Sequence, residues 1–124
     1  MTHNRTWEIR RAEEGLDRAV FDLEHLRRYT LDDPGLECEL LNLFLSQAEA
    51  ARSQLTLAVS AEDWKLAAHS LKGSALAVGA VAIANLSARI EDSGMVAGGA
   101  RQVMLAELDE AIAVFRLAAR SIGR

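Results

Sequence analysis

The stretch AAHSLKGSALAVGA, residues 67–80, decides how the chain is read. It is built mainly from small and apolar helix formers, and Ala67, Leu71, Ala75 and Val78 recur at the three- and four-residue spacing of one helix face. Set into that pattern are His69, Lys72 and Gly73. A glycine inside a helix costs about 1 kcal/mol relative to alanine, and a chain with 22 alanines nevertheless places one here. Gly79 is a natural terminator in the left-handed C′ position. The spacing therefore predicts a helix over Glu62–Val78, opened by a short turn at Ser60 or Ala61.

Working outward, the same signals predict four more helices. Leu16, Val20, Leu23 and Leu26 mark one over Leu16–Tyr29. In TLDDPG, Asp33 fits an N-cap and Pro34 the first helical position, where its missing N–H is not needed. The helix that follows is expected to run to about Ser60, with Leu36, Leu40, Leu43, Gln47, Ala51, Leu55 and Ala58 as its apolar stripe. Ile83, Leu86 and Ile90 define another over Ala80–Ser93, ended by Gly94. MVAGGA, residues 95–100, reads as a loop. Leu105, Leu108, Ile112, Phe115, Ala119 and Ile122 then step 3-4-3-4-3, a seam that packs at the shallow angle of a left-handed bundle. No strand pattern appears. The expected fold is all-α: an antiparallel four-helix bundle with one additional N-terminal helix, over residues 16–124. Residues 1–15 read as a tail or loosely docked segment.

Composition sets the outer limits. The 124 residues suit one domain with a core of its own, rich in Ala and Leu and poor in aromatic side chains. A net charge of −4 gives no basic footprint for nucleic acid. The single cysteine, Cys38, excludes an intrachain disulfide and, lying on an apolar helix, reads as a buried, inert thiol. The N-terminus has no apolar signal-peptide core, and the longest uncharged run, Gly73–Ala88, is shorter than the ~20 residues that span a bilayer. A cytoplasmic protein with no membrane partner is expected. Because the bundle has enough helices to close its own core, so is a monomer.

On a 100° wheel the helix over Glu62–Val78 divides cleanly. Trp64, Ala67, Leu71, Ser74, Ala75 and Val78 face the core; Glu62, Lys65, His69, Lys72, Gly73 and Leu76 face away. His3 and His25 read as structural or solvated. His69 differs because the only two lysines of the chain, Lys65 and Lys72, lie at i−4 and i+3 from it. Two cations beside an imidazole favour its neutral, nucleophilic form and attract an anion, phosphate above all. Gly73, at i+4, leaves the surface beside His69 bare, which gives clearance for an approaching protein. Leu76, apolar on that same exposed face, suits a docking surface.

These residues carry a resemblance. HSLKGSALAVG is similar to the signature of the histidine-containing phosphotransfer (HPt) domain, roughly H-x-L-K-G-S/A-S/A-x-x-x-G, at His69, Leu71, Lys72, Gly73, Ser74, Ala75 and Gly79. The likeness extends over about Leu16–Ile122 and includes the acidic-Pro turn and the tryptophan of DWKLAAHSLKG. It implies a phosphorelay intermediate: His69 accepts a phosphoryl group from a receiver aspartate or a histidine kinase and passes it to another receiver aspartate. Lys72 would stabilise the phosphoryl charge, and Lys65, Gly73 and Leu76 would meet the partner. Its partners would be response-regulator receiver domains and a hybrid or simple histidine kinase. The domain would need no cofactor of its own, the receiver bringing Mg2+. Family members often carry a Gln or Glu near the imidazole on the next helix, and that position here is Glu91. Its carboxylate, accepting from Nδ1–H, would fix the tautomer and leave Nε2 free; the plainer reading is a solvated surface glutamate.

No Gly-rich nucleotide loop or P-loop is found, so a phosphocarrier rather than an autonomous enzyme is expected. The dimerisation module of a histidine kinase fits poorly: Ser70 follows the histidine and no proline occurs after Pro34. A non-phosphorylated adaptor that binds receivers, and the excised phosphoacceptor domain of a larger kinase, are the alternatives.

Overall fold

The computed structural model describes residues 17–122. The expected tail, residues 1–15, and Leu16 lie outside them. Five helices follow one another: α1 (Leu23–Thr30), α2 (Pro34–Leu57), α3 (Ala61–Val78), α4 (Val81–Asp92) and α5 (Gly98–Arg120). No strand occurs among the described residues. Short connections make consecutive helices antiparallel neighbours. Glu49, Arg52 and Leu55 of α2 meet Arg116, Asp109 and Arg101 of α5 in reverse order, so these two also run antiparallel. With α3 between α2 and α4, and α5 against α2 and α4, the ring closes as a four-helix bundle; α1 lies over α2 and α3.

Local chemistry fixes the helix ends as the sequence predicts. The Asp33 side chain accepts from the N–H groups of Gly35 and Leu36, at 3.0 and 3.2 Å, ahead of Pro34. Ser60 caps α3 by accepting from the Asp63 N–H at 3.1 Å. Gly79 ends α3 in the left-handed region, φ 81°. A side chain there would be doubly excluded, because a Cβ would lie 2.5 Å from the Asp22 carbonyl oxygen.

Elsewhere tertiary contacts overrule the sequence expectation. The predicted helix over Leu16–Tyr29 is helical only from Leu23. Val20 and Asp22 pair with the α3–α4 corner instead, Asp22 N–H donating to Gly79 O at 2.8 Å and Val81 N–H to Val20 O at 3.0 Å. Phe21 is thereby buried, its ring 4.8 Å from that of Phe115. The stripe expected on α2 is out of phase in its first half: Leu36 and Leu43 are exposed, and Glu37, Leu41, Phe44, Ala48, Ala51 and Leu55 are buried. Phe44 sets this rotation by packing edge-on against Phe115, centroids 5.2 Å apart, and buried Glu37 is matched by the Arg27 guanidinium of α1 at 3.0 Å. Cys38, one step beyond this face, is exposed rather than buried.

On α3, Ser74 is only half-buried, and Ala68 joins the core face. On α4, Ile83 and Ile90 are buried as expected, but Leu86 is half-buried and Ser87 takes the interior, its hydroxyl donating to Ile83 O at 2.7 Å. The segment read as a loop is helical from Gly98. Arg101, in the first turn of α5, donates to the carbonyls of Leu55, Thr56 and Ala58 and lies 5.0 Å over the Trp64 ring. It supplies the cation that the last turn of α2 lacks. The seam expected from Leu105 to Ile122 is buried throughout, although α5 ends at Arg120 and Ile122 lies in the turn beyond it.

Candidate functional site

The site is assembled from the outer face of α3 and the last turn of α4. Trp64, on the inner face of α3, is fully buried and its indole N–H donates to Ile90 O at 3.0 Å. That bond ties α3 to the turn of α4 that carries the next residue, Glu91. The Glu91 side chain, only 10 % exposed, is held between two groups of α3. Its Oε2 lies 2.8 Å from His69 Nδ1, and its Oε1 accepts from the Lys72 ammonium at 2.7 Å. Each carboxylate oxygen thus has its own partner.

The hydrogen bond from Lys72, and then that from His69, hold the Glu91 carboxyl below its ordinary value near 4.5. An ionised carboxylate can only accept, so the hydrogen it shares with His69 belongs to Nδ1. In the neutral ring the lone pair then falls on Nε2, which has no hydrogen-bond partner among the described residues, on a side chain that is 64 % exposed. The Lys72 ammonium, expected from the sequence as a cation neighbouring the imidazole, is directed to Glu91.

Lys65 and His69 line one shallow hollow together with Glu62, Leu66 and Glu91. Gly73 is exposed, and a Cβ built on it would meet no atom within 4 Å. Leu76, beyond it, is 58 % exposed. The structure therefore brings His69, Lys72 and Glu91 into one hydrogen-bonded group, with Lys65 beside it and Gly73 and Leu76 further along the same face. Among the described residues, no group of three His, Cys, Asp or Glu is placed to hold a metal ion, and no helix is long and apolar enough to cross a membrane.

The Hpt domain family matches residues 39–118, a span containing all of α3 and α4. The chain belongs to the Hpt domain family. No match was found among curated proteins or solved structures. Hpt domains are phosphocarrier modules of two-component signalling, without a kinase of their own, and interact with response regulators and kinases in phosphorelays. The match begins inside α2, so α1 and the Asp33–Pro34 cap belong to the fold without belonging to the matched span.

Leu66, not among the residues expected at the site, lines the hollow of this Hpt domain beside His69 and is 65 % exposed. The signal was available. An apolar side chain on the outer, polar half of the wheel is what singles out Leu76, and Leu66 meets the same criterion on the other side of the histidine.

Proposed function

We propose that this Hpt domain, over residues 16–124, carries a phosphoryl group on Nε2 of His69, exchanging it with aspartates of receiver domains. In the accepting direction, the Nε2 lone pair attacks phosphorus of the aspartyl phosphate. The N–P bond forms as the P–O bond breaks, and the aspartate carboxylate leaves with the electron pair. The ring keeps its Nδ1 proton and gains positive charge, which the Glu91 carboxylate facing Nδ1 stabilises. Return transfer runs the same steps backwards. To Lys72, whose ammonium donates to Glu91 at 2.7 Å, we assign stabilisation of the phosphoryl oxygens as well.

The observation that carries this reading is the 2.8 Å contact between Nδ1 and Glu91 on an exposed imidazole: it orients the ring and leaves one nitrogen for chemistry. Lys65, Gly73 and Leu76 we assign to contact with the partner. The test is incubation with a receiver domain charged by acetyl phosphate, followed by mapping of acid-labile phosphate. Label is expected on His69 and absent from His69→Gln, whose stability should stay within about 0.5 kcal/mol of wild type because the side chain is exposed. Label retained in His69→Gln would remove His69 from the role.

A further inference from the structure

A second, apolar hollow adjoins the phosphotransfer site. It lies between the end of α2 and the first half of α3 and measures about 510 Å3. Leu57, Ala58, Leu66 and Ala67 line it, with Gln54 and Asp63 among its polar groups. Leu57 and Leu66 are 76 % and 65 % exposed. Two large aliphatic side chains so open, on adjacent helices and around one concavity, form an anchor of the kind that a partner's apolar side chains fill.

We infer that the α2–α3 hollow, through Leu57 and Leu66, is the docking anchor for the receiver domain, and that it determines which receiver is served. The inference rests on the phosphotransfer reading of His69. Continuity identifies the occupant: Leu66 lines both this hollow and the one containing His69. Along α3 it lies about 4.5 Å from His69 at the helical rise of about 1.5 Å per residue. A partner that brings an aspartate to Nε2 covers a patch of about 800 Å2, or roughly 16 Å in radius if circular. Leu66 therefore falls inside such a footprint centred on His69, and Leu57 lines the same hollow.

The two sides of His69 have different characters. Toward α4 lie the charged groups Lys72 and Glu91; toward α2 lies the leucine-walled hollow. Lys65, in the His69 hollow, complements the anionic phosphoaspartate site of a receiver. A receiver that places its phosphoaspartate over His69 and an apolar helix face or loop over Leu57 and Leu66 satisfies both sides at once. The phosphoryl chemistry is then common to all receivers, and the leucine contact discriminates between them.

The test separates docking from chemistry. The full chain is labelled in parallel by phosphoramidate, which phosphorylates histidine without a protein partner, and by an acetyl phosphate-charged receiver domain chosen as the fastest donor in a panel. The readout is the ratio of the two rates at limiting receiver, for Leu57→Ser, Leu66→Ser and, as a control on the outer face of α5, Leu117→Ser. The ratio is expected to fall about tenfold in the first two, with fold verified by circular dichroism, and to stay at the wild-type value in the third. Wild-type ratios in Leu57→Ser and Leu66→Ser overturn the docking anchor and leave His69 in its role. If the wild-type chain exchanges phosphate with no receiver in the panel, the phosphotransfer reading falls and the anchor with it.

Discussion

Gly73 and Gly79 stand less than two turns apart on the same helix and are opposite cases. Around Gly73 the space is open: the backbone is ordinary helix, and an added Cβ would touch nothing within 4 Å. Around Gly79 nothing fits: φ is 81°, and a Cβ would press to 2.5 Å on the carbonyl oxygen of Asp22, whose own N–H is bonded to Gly79 O. The same residue type thus marks open surface, which we assign to partner contact, and a corner closed by the domain itself. A glycine in a sequence does not by itself say why a side chain is missing. Only its surroundings say whether the chain's own fold excludes it.

The largest effect that this contrast predicts is on folding. Gly79→Ala should lose at least about 2 kcal/mol, from left-handed backbone strain and the contact with Asp22. The melting midpoint should fall by about 8 °C or more. A melt near wild type would show that the 17–22 segment can leave the α3–α4 corner freely, and would break the contrast. Gly73→Gln should do the reverse, keeping a melt at or above wild type while transfer from a charged receiver falls about tenfold, because its side chain enters space the partner needs. If transfer merely tracks the folded fraction, the clearance assignment is wrong.

A smaller effect is expected from Gly73→Ala. It should raise stability by up to about 1 kcal/mol through helix propensity and the less flexible unfolded chain, with transfer close to wild type. Denaturant titration beside the transfer assay checks both halves.

The smallest effect concerns Glu91, an outer-face residue that is nonetheless held in place. Its folded pKa is depressed, chiefly by Lys72, so its contribution to stability is present above the ordinary glutamate value and lost as pH falls through the lowered one. Between those two values the unfolded chain binds more protons, and stability rises with pH. In Lys72→Ala the Glu91 carboxyl should titrate closer to its ordinary value by NMR, and that segment of the stability–pH curve should flatten. An unmoved titration would mean that Lys72 is not what holds Glu91 ionised.

Much of the site could be read from the sequence, for a local reason. The phase of α3 follows from its own spacing, so His69, Lys65, Gly73 and Leu76 fall on the exposed face on which they are found. Glu91 is different. Periodicity on α4 places it only beside the core residue Ile90, and only the family resemblance singles it out. Its contact with His69 depends on how α4 is rotated and raised against α3, which the buried Trp64–Ile90 bond helps to fix. The outward direction of Leu66 is legible on α3 alone, but that it shares a hollow with Leu57 is not, because a hollow between two helices is a property of neither helix by itself.

The amino-acid sequence by itself determined the helical class, the caps at Asp33 and Gly79, the outward direction of His69 and the buried seam of α5. These depend on interactions within a few residues, or on a face whose apolar and polar sides are clearly distinct. Tertiary structure alone decided which leucines of α2 are buried, because Leu36, Leu40, Leu41, Leu43 and Leu45 surround much of that helix and its own pattern supports more than one rotation. It also decided that residues 17–22 leave the helix, because bonds to the α3–α4 corner replace the turns given up. The link of Glu91 to both His69 and Lys72 belongs with these: where two helices meet, the choice of neighbour sets the contact, and that choice is made by the packed bundle as a whole.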